Sequence, residues 1–242
     1  MQIKRKIDQE QSKNQNLKNL ISLKNQEWVQ NDIDTKLENE LSIKFKLNPL
    51  ISKLLSIRKI SPENIPNFFN PKIKNLLPDP SLLDDMNIAT EKIVKLILER
   101  KKIGVFGDYD VDGITSTVII CQYLKQIGVD FDFYIPDRQN EGYGPSINGF
   151  EKLISNECEI ILTLDCGINS LKEIDFVKEK NIDVIIVDHH KEGQSLPNAY
   201  AIINPNKKND KSNLYNLCAA ALTFFLIISI NRKLKQKKFF KN

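Results

Sequence analysis

From residue 103 onwards, short runs of aliphatic residues alternate with longer segments that carry apolar residues every three or four positions. The runs IGVF, FDFYI, EIILTLD, IDVIIVD and AIIN have the length and the branched side chains of buried strands. The segments ITSTVIICQYLKQIG, INGFEKLIS and SLKEIDFVKEK have the helical period. Strands that alternate with helices form βαβ units, so we predict an α/β domain with a mainly parallel sheet and helices on both faces.

The N-terminal part of the chain has a different pattern. Residues 1–45 are polar and rich in Lys, Asn, Gln and Glu, which predicts a loosely packed arm. Residues 46–101 carry short helical patterns with a break at Ser61-Pro62, and they end in an amphipathic segment from Ile88 to Lys101. We therefore predict a polar arm at 1–45, a helical lead-in region at 46–101, an α/β domain at 102–230 and a basic end at 231–242.

The charge of the chain is unevenly distributed. The 242 residues are 41% hydrophobic and 27% charged, which is typical of globular proteins. Residues 231–242 hold six Lys or Arg and no acid, so removing them from the net charge of +4 leaves about −2 for the rest. The basic balance of the whole chain is therefore no evidence that its body binds nucleic acid.

The cysteines and the apolar runs bear on the cellular compartment. No two cysteines form a CxxC pair, so we predict reduced, buried thiols in a cytoplasmic protein; the four are Cys121, Cys158, Cys166 and Cys218. The first residues contain no apolar stretch typical of a secretory signal. The longest apolar run, Leu217 to Ile230, is short for a membrane span, so we predict a buried helix there and no membrane association.

Acidic and imidazole side chains directly follow three of the predicted strands. The sequences are GVFGDYDVDG, IILTLDCG and DVIIVDHH, and the last contains the only two histidines of the chain. In an open parallel sheet, ligands bind at the carboxyl ends of the strands, so we expect these side chains to converge there. The residues concerned are Asp108, Asp110, Asp112, Asp165, Asp188, His189 and His190.

Such an acidic cluster requires a positive partner. Three carboxylates within five residues repel one another unless cations lie between them. A carboxylate-rich site with one or two imidazoles suits Mn²⁺ or Mg²⁺ rather than a thiolate zinc site. Two such ions would activate a water and hold the oxygens of an in-line displacement at phosphorus. Each aspartate alone also fits a helix cap or a turn. Their coincidence with a histidine pair favours the metal site.

The quoted motifs resemble a known family. GDYDVDGITS, LTLDCGIN and VDHH resemble the first three motifs of the DHH phosphoesterase superfamily. NLLPDPSLLDDM, IPDRQNEGYGPS and INPN extend the resemblance to the RecJ-type exonucleases, over roughly residues 45–230. It implies a metal-dependent phosphodiester hydrolase that degrades single-stranded DNA in the 5′→3′ direction in DNA repair and recombination. It also implies a two-metal site for Mn²⁺ or Mg²⁺, and a single-strand-binding protein or a helicase as partner.

The resemblance assigns a role to each candidate residue. The metal ligands would be Asp110, Asp112, Asp165 and His189, with Asp165 shared between two ions and Asp108 as a further candidate. His190 would contact the scissile phosphate or assist the leaving group, and Asp188 would orient the histidine pair. Arg138 is similar to the arginine that binds the 5′-phosphate in the family. A guanidinium can donate two hydrogen bonds to the oxygens of a terminal phosphate, which suits that role. The remaining predicted substrate-binding residues are Tyr143, Gly144 and Asn204.

Several alternatives stay open at this point. The superfamily has a fourth motif with a further metal-binding Asp, and the sequence reaches Asn242 before one, so we expect a truncated chain with an incomplete site. An inactive fragment is one alternative. Another superfamily branch, an oligonucleotide phosphodiesterase or a manganese pyrophosphatase, is a second, although these lack the PDR…EGYG block. DVDGIT is also similar to haloacid-dehalogenase phosphatases, and acids at strand ends are typical of receiver domains. The histidine pair argues against both.

Overall fold

The structure is a computed structural model that describes residues 31–240 and two short strand segments, residues 20–21 and 27–28. The rest of the first 30 positions, most of the predicted polar arm, lies outside the described residues. The chain divides into two compact units, Met1–Leu77 and Pro78–Asn242.

The first unit is mainly helical. In chain order it contains β1 (Leu20–Ile21), β2 (Glu27–Trp28), α1 (Thr35–Phe45), α2 (Pro49–Ile57), a 3₁₀ turn (Pro62–Asn64), α3 (Ile65–Phe69) and α4 (Ile73–Leu76). Asp34 and Asn48 accept hydrogen bonds from the first amides of α1 and α2, which sets where each helix begins. Leu41, Leu55 and Ile65 form a small core between α1, α2 and α3. Part of the predicted loose arm is thus a packed helix.

The second unit carries the parallel sheet. After a 3₁₀ turn (Pro80–Leu82), its elements are α5 (Met86–Leu98), β3 (Ile103–Gly107), α6 (Val111–Gln126), β4 (Phe131–Tyr134), α7 (Ile147–Ser155), β5 (Ile160–Leu164), α8 (Leu171–Glu179), β6 (Asp183–Val187), β7 (Ala201–Ile203) and α9 (Ala219–Gln236). The strand order is β4-β3-β5-β6-β7, and every pair is parallel. The predicted α/β fold class is confirmed.

Helices cover both faces of this sheet. Every residue of β3 and β5 is buried, as expected for strands between two helical layers. Helices α7 and α8 contact one face, where Phe106, Phe150 and Ile186 belong to one apolar cluster. Helices α5, α6 and α9 pack together on the other side, with α6 against β3 and α5 against β7.

The structure corrects some predicted boundaries. Helix α6 begins at Val111 rather than near Ile114, because Asp110 caps it one turn earlier. Helix α5 packs against α9 and β7 and lies in the second unit, which begins at Pro78, while the predicted division at residues 101 and 102 stays a prediction. Helix α9 continues through Gln236, so the first half of the basic end, residues 231–236, is the last part of a helix.

The cysteines are mostly enclosed by the fold, as the sequence predicts, with one exception. All four cysteines are free, and Cys158 and Cys166 are buried as predicted. Cys218 is exposed, because it occupies the position directly before the first turn of α9, so the prediction of a buried thiol is wrong there. Within the described part of the chain, none of the helices combines the length and the apolar character that a bilayer span requires.

Candidate metal centre

Three aspartates extend the strands of the sheet at its carboxyl edge. Asp108 follows β3, Asp165 follows β5 and Asp188 follows β6. The amide of Asp108 donates to Leu164 O at 3.1 Å, that of Asp165 to Val187 O at 2.9 Å, and that of Asp188 to Ile203 O at 3.1 Å. Each aspartate is therefore held by a backbone hydrogen bond to the end of the neighbouring strand, which fixes where the three side chains start.

The side chains at this edge form two overlapping groups of possible metal ligands. Asp165, His189 and His190 each offer a ligand atom within 4.8 Å of the others. Asp108, Asp110 and Asp165 do the same. Asp165 belongs to both groups, which is the position expected of a carboxylate shared between two ions.

The buried carboxylates fit a divalent cation. The side chains of Asp108 and Asp165 are 1% exposed, and among the described residues none donates a hydrogen bond to their carboxylate oxygens. Burial, followed by the nearby Asp112 and Asp110 carboxylates, raises the pKa of Asp165 to about 8. Burial also raises the pKa of Asp108. Because buried charges require a partner, two carboxylates that accept no hydrogen bond within the described part of the chain and face acidic neighbours are consistent with a cation site.

Asp110 and Asp112 also hold helix ends. Asp110 Oδ1 accepts from the amides of Asp112 and Gly113 at 2.9 and 3.0 Å and so caps α6. The turn is tight here: a Cβ on Gly113 would lie 2.5 Å from the carbonyl oxygen of Asp108, so this position requires glycine. The carboxylate of Asp112 accepts from the amides of Ala219 and Ala220 at 2.7 and 2.9 Å, so it caps α9.

His189 lies between these aspartates. Its Nε2 is 3.2 Å from Asp165 Oδ1 and 3.6 Å from Asp112 Oδ2. A carboxylate oxygen can accept an amide hydrogen bond and still offer a lone pair, so capping α9 does not prevent Asp112 from binding a metal ion. The three residues could share one cation.

Asp188 has a different environment from Asp165. Its Oδ1 accepts from the amides of His189 and His190 at 2.7 and 3.0 Å, and its Oδ2 accepts from the amide of Ile168 at 3.1 Å. His190 Nδ1 lies 2.7 Å from Oδ1, and because a carboxylate only accepts, this nitrogen carries the hydrogen. The hydrogen bond to Asp188 raises the pKa of His190. Burial raises the pKa of Asp188, but the hydrogen bonds from His190 and Ile168 outweigh it and lower the value.

Two asparagines after β7 donate hydrogen bonds to the backbone carbonyls of the histidine pair. Asn204 donates to His190 O at 2.9 Å, and Asn206 donates to His189 O. Asn204 is 0% exposed, and its Oδ1 accepts the amide of Asn206 at 2.7 Å. Asn204 therefore holds the histidine segment in place, and its contact with substrate stays a prediction. Asn206 was not predicted, although the spacing N-x-N after the last strand places both asparagines on one tight turn.

The predicted substrate-binding loop lies beside His190. The hydroxyl of Tyr143 is 3.3 Å from both ring nitrogens of His190 and donates to Asp165 O at 3.4 Å. Arg138 is exposed, and its guanidinium carbon lies over the ring of Tyr109, 5.6 Å from its centroid. Gly144 has φ = 85°, which favours glycine at this position of the loop, and its contact with substrate stays a prediction. Tyr109 was not predicted, although it stands between two of the motif aspartates.

Residues 102–241 match the DHH family, N-terminal domain. The chain belongs to the DHH family. It is 34% identical to the single-stranded-DNA-specific exonuclease RecJ of Bacillus subtilis over 187 residues, which cover 77% of this chain and 24% of that protein. It is 29% identical to the RecJ of Escherichia coli over 197 residues, which cover 81% of this chain and 33% of that protein. The predicted resemblance is confirmed.

Solved DHH structures agree with the fold. A crystal structure of exonuclease RecJ bound to manganese superposes with a TM-score of 0.58 at 30% identity and covers 66% of this chain and 39% of that one. A RecJ from Thermus thermophilus in complex with Mn²⁺ gives a TM-score of 0.66 at 23% identity and covers 83% and 28%. The chain thus spans about a quarter to a third of the length of the curated relatives it matches.

Proposed function

We propose that this chain carries the metal-binding part of an exonuclease that hydrolyses single-stranded DNA from the 5′ end. The observation that supports the proposal most directly is the pair of overlapping ligand groups that share the buried Asp165, whose carboxylate accepts no hydrogen bond from the described residues. The RecJ relatives, which are named single-stranded-DNA-specific exonucleases, supply the substrate class. The polarity and the role of each side chain come from the family resemblance and are part of the proposal.

The proposed ligands follow from the donor set. Asp108, Asp110 and Asp165 would hold one Mn²⁺ or Mg²⁺, and Asp165, His189 and Asp112 a second. Oxygen ligands with one imidazole suit these ions, and similar RecJ crystal structures contain manganese or magnesium. When bound, the ions would supply a nucleophilic water and neutralise charge at the phosphorus.

The other side chains would bind and protonate the substrate. His190 keeps its Nδ1 hydrogen on Asp188, which leaves Nε2 as the nitrogen that can donate a proton to the leaving oxygen. Its raised pKa increases the protonated fraction near neutral pH. Tyr143 would hold the imidazole ring from the loop side. Arg138 would bind the 5′-terminal phosphate, because a guanidinium offers paired N–H groups to two phosphate oxygens.

The first test is metal binding by the purified chain. Isothermal titration with Mn²⁺ should show binding to the wild type and a loss of at least tenfold in affinity in Asp165→Asn. Asp175→Asn is a matched control, because Asp175 is an exposed acid on α8 away from the strand ends. Equal Mn²⁺ binding by Asp165→Asn and the wild type would contradict the proposed centre.

The second test is activity. Given Mn²⁺, the chain should release nucleotides from a 5′-phosphorylated single strand, leave a blunt duplex intact and lose activity when a chelator is added. Hydrolysis of inorganic pyrophosphate instead of the oligonucleotide would favour a pyrophosphatase and contradict the proposed substrate.

A further inference from the structure

A continuous row of π systems connects Arg138 with the histidine pair. The guanidinium carbon of Arg138 lies over the ring of Tyr109, 5.6 Å from the centroid. Tyr109 meets Tyr143 edge to face, with centroids 6.3 Å apart and planes at 87°. Tyr143 meets His190 in the same way at 5.8 Å and 77°. Both distances lie within the range of favourable aromatic contacts.

The backbone that carries Arg138 is fixed independently of this row. The carboxylate of Glu141 accepts from the hydroxyls of Tyr134 and Ser146 and from the amide of Asp137, each at 2.8 Å. Tyr134 is the last residue of β4 and Ser146 caps α7, so Glu141 joins the two ends of the loop. The remaining freedom of Arg138 is that of its long side chain.

Only the contact with Tyr109 limits that side chain among the interactions found for the described residues. Arg138 is exposed, and no ion pair or hydrogen bond to its guanidinium occurs in the part of the chain that the structure describes. A cation over an aromatic face is attracted by the ring quadrupole and can keep its N–H groups for another ligand. The contact with Tyr109 therefore fixes the position of the guanidinium and leaves its N–H groups free to bind a phosphate.

The sequence position of Tyr109 links its contact with Arg138 to the acidic cluster. Tyr109 lies between Asp108 and Asp110, two of the proposed ligands, so the same three residues of backbone place the ring and the acids. A cation that rests on this ring is held at a distance set by the metal-binding motif itself.

We propose that Tyr109 is a positioning residue that holds Arg138 in register with the acidic cluster, so that the contact selects a 5′-terminal phosphate. This inference rests on the proposed function of Arg138. It predicts that the shape and electron density of the ring at position 109 change the preference for a phosphorylated end and leave metal binding unchanged.

The experiment measures binding to two single-stranded oligonucleotides that resist hydrolysis because their linkages are phosphorothioates. One carries a 5′-phosphate and the other a 5′-hydroxyl, both with a 3′ fluorophore, and anisotropy gives each Kd in the presence of Mn²⁺. The readout is the ratio of the two constants. Tyr109→Phe should keep the wild-type ratio, because the hydroxyl has no part in the contact. Tyr109→Leu should reduce it about two- to fivefold, the size of a partly exposed cation–π contact.

Two further variants make the result specific. A heavily fluorinated phenylalanine at position 109 keeps the ring size and weakens the quadrupole, so it should reduce the ratio even if Tyr109→Leu fails to fold. Arg138→Met should bring the ratio close to 1, and adding Tyr109→Leu should change it no further, since the two act through one contact. Mn²⁺ affinity should stay at the wild-type value in all these variants.

Each outcome supports or overturns the inference. An unchanged ratio in Tyr109→Leu and in the fluorinated variant would overturn it. A wild type without end preference would overturn it together with the role of Arg138, whereas the metal centre would still stand on the Mn²⁺ titration of Asp165→Asn. If Tyr109→Leu lowered the Mn²⁺ affinity as much as the ratio of the two dissociation constants, Tyr109 would only support the acids structurally, and the inference would be wrong.

Discussion

Replacing Asp165 by Asn should stabilise the metal-free protein while weakening its Mn²⁺ binding at least tenfold. Asp165 is 1% exposed, none of the described residues donates a hydrogen bond to its carboxylate, and its pKa is raised to about 8 from an ordinary value of 3.8. Asn has the same shape without the charge. It also tolerates the backbone of this position, where φ is 62° in the left-handed region. Ala would confound charge with backbone strain, so Asn is the better substitution.

The magnitude follows from the raised pKa. Between about pH 4 and 8 the unfolded chain has released the Asp165 proton and the folded chain has kept it, so unfolding releases a proton. The free energy of unfolding therefore falls by about 1.4 kcal/mol for each pH unit in this window, which gives at most about 4 kcal/mol at pH 7. Asp110 and Asp112 share the electrostatic penalty with Asp165. We therefore expect Asp165→Asn to gain about 1–2 kcal/mol at pH 7.

The assay is urea unfolding in a chelating buffer at pH 5, 7 and 8.5. The advantage of Asp165→Asn over the wild type should grow from pH 5 to 8.5, because only the wild type carries this carboxylate. Adding Mn²⁺ should reverse the order, since a ligand that binds only the folded wild type stabilises it by mass action. Lower stability of Asp165→Asn than of the wild type at pH 7 without metal would refute the reasoning.

Asp188→Asn is the matched control for this prediction. It is the same substitution on the next strand of the sheet, but the Asp188 carboxylate accepts hydrogen bonds from Ile168, His189 and His190. Its pKa is lowered, so its contribution to stability is present above the unfolded-state value and is lost as the pH falls through the folded-state value. Asp188→Asn should lose about 1–3 kcal/mol at pH 7. Two identical substitutions should thus change stability in opposite directions.

Three further predictions concern the supports of the site. Glu141→Ala should lower the free energy of unfolding by about 1–3 kcal/mol in urea, because it removes the acceptor of three donors, and Glu141→Gln should lose less. Asp112→Ala should lower it by about 1–2 kcal/mol even in a chelating buffer, because it removes the cap of α9, and an unchanged value would contradict that role. Asn206→Ala should weaken Mn²⁺ binding about tenfold in calorimetry, because it frees the carbonyl of His189; wild-type affinity would show that the histidine needs no such support.

The sheet and its acidic edge could be predicted because both depend on local patterns. Unbroken aliphatic runs mark strands buried on both faces, and an acid after each run must then lie at the carboxyl edge. The sequence could not predict the hydrogen bonds that these acids also make to the ends of distant helices. Asp112 and Ala219 are 107 positions apart, and no periodicity in the sequence links the motif to the start of α9. Tertiary packing alone brings them together.

The same limitation explains the residues that prediction missed or misplaced. Asn206 was not predicted, because its hydrogen bond to His189 O depends on how the chain turns after β7. Cys218 was expected to be buried because its neighbours are apolar, but it is exposed directly before α9. Composition reports the average environment of a segment. The orientation of one side chain depends on the elements that surround it.

The acids of this site also hold its structural elements, so most of them are fixed in position by the fold. Asp110 caps α6 and Asp112 caps α9, so part of their charge interacts with helix amides and the positive ends of helix dipoles. Both carboxylate oxygens of Asp188 accept hydrogen bonds, one from the histidine segment and the other from the amide of Ile168. The unfavourable charge is thereby concentrated on Asp108 and Asp165, which have no such partners among the described residues. Because the capped acids are fixed by the fold, a cation that binds Asp108 and Asp165 meets a cluster that is already in place, and little reorganisation opposes its binding.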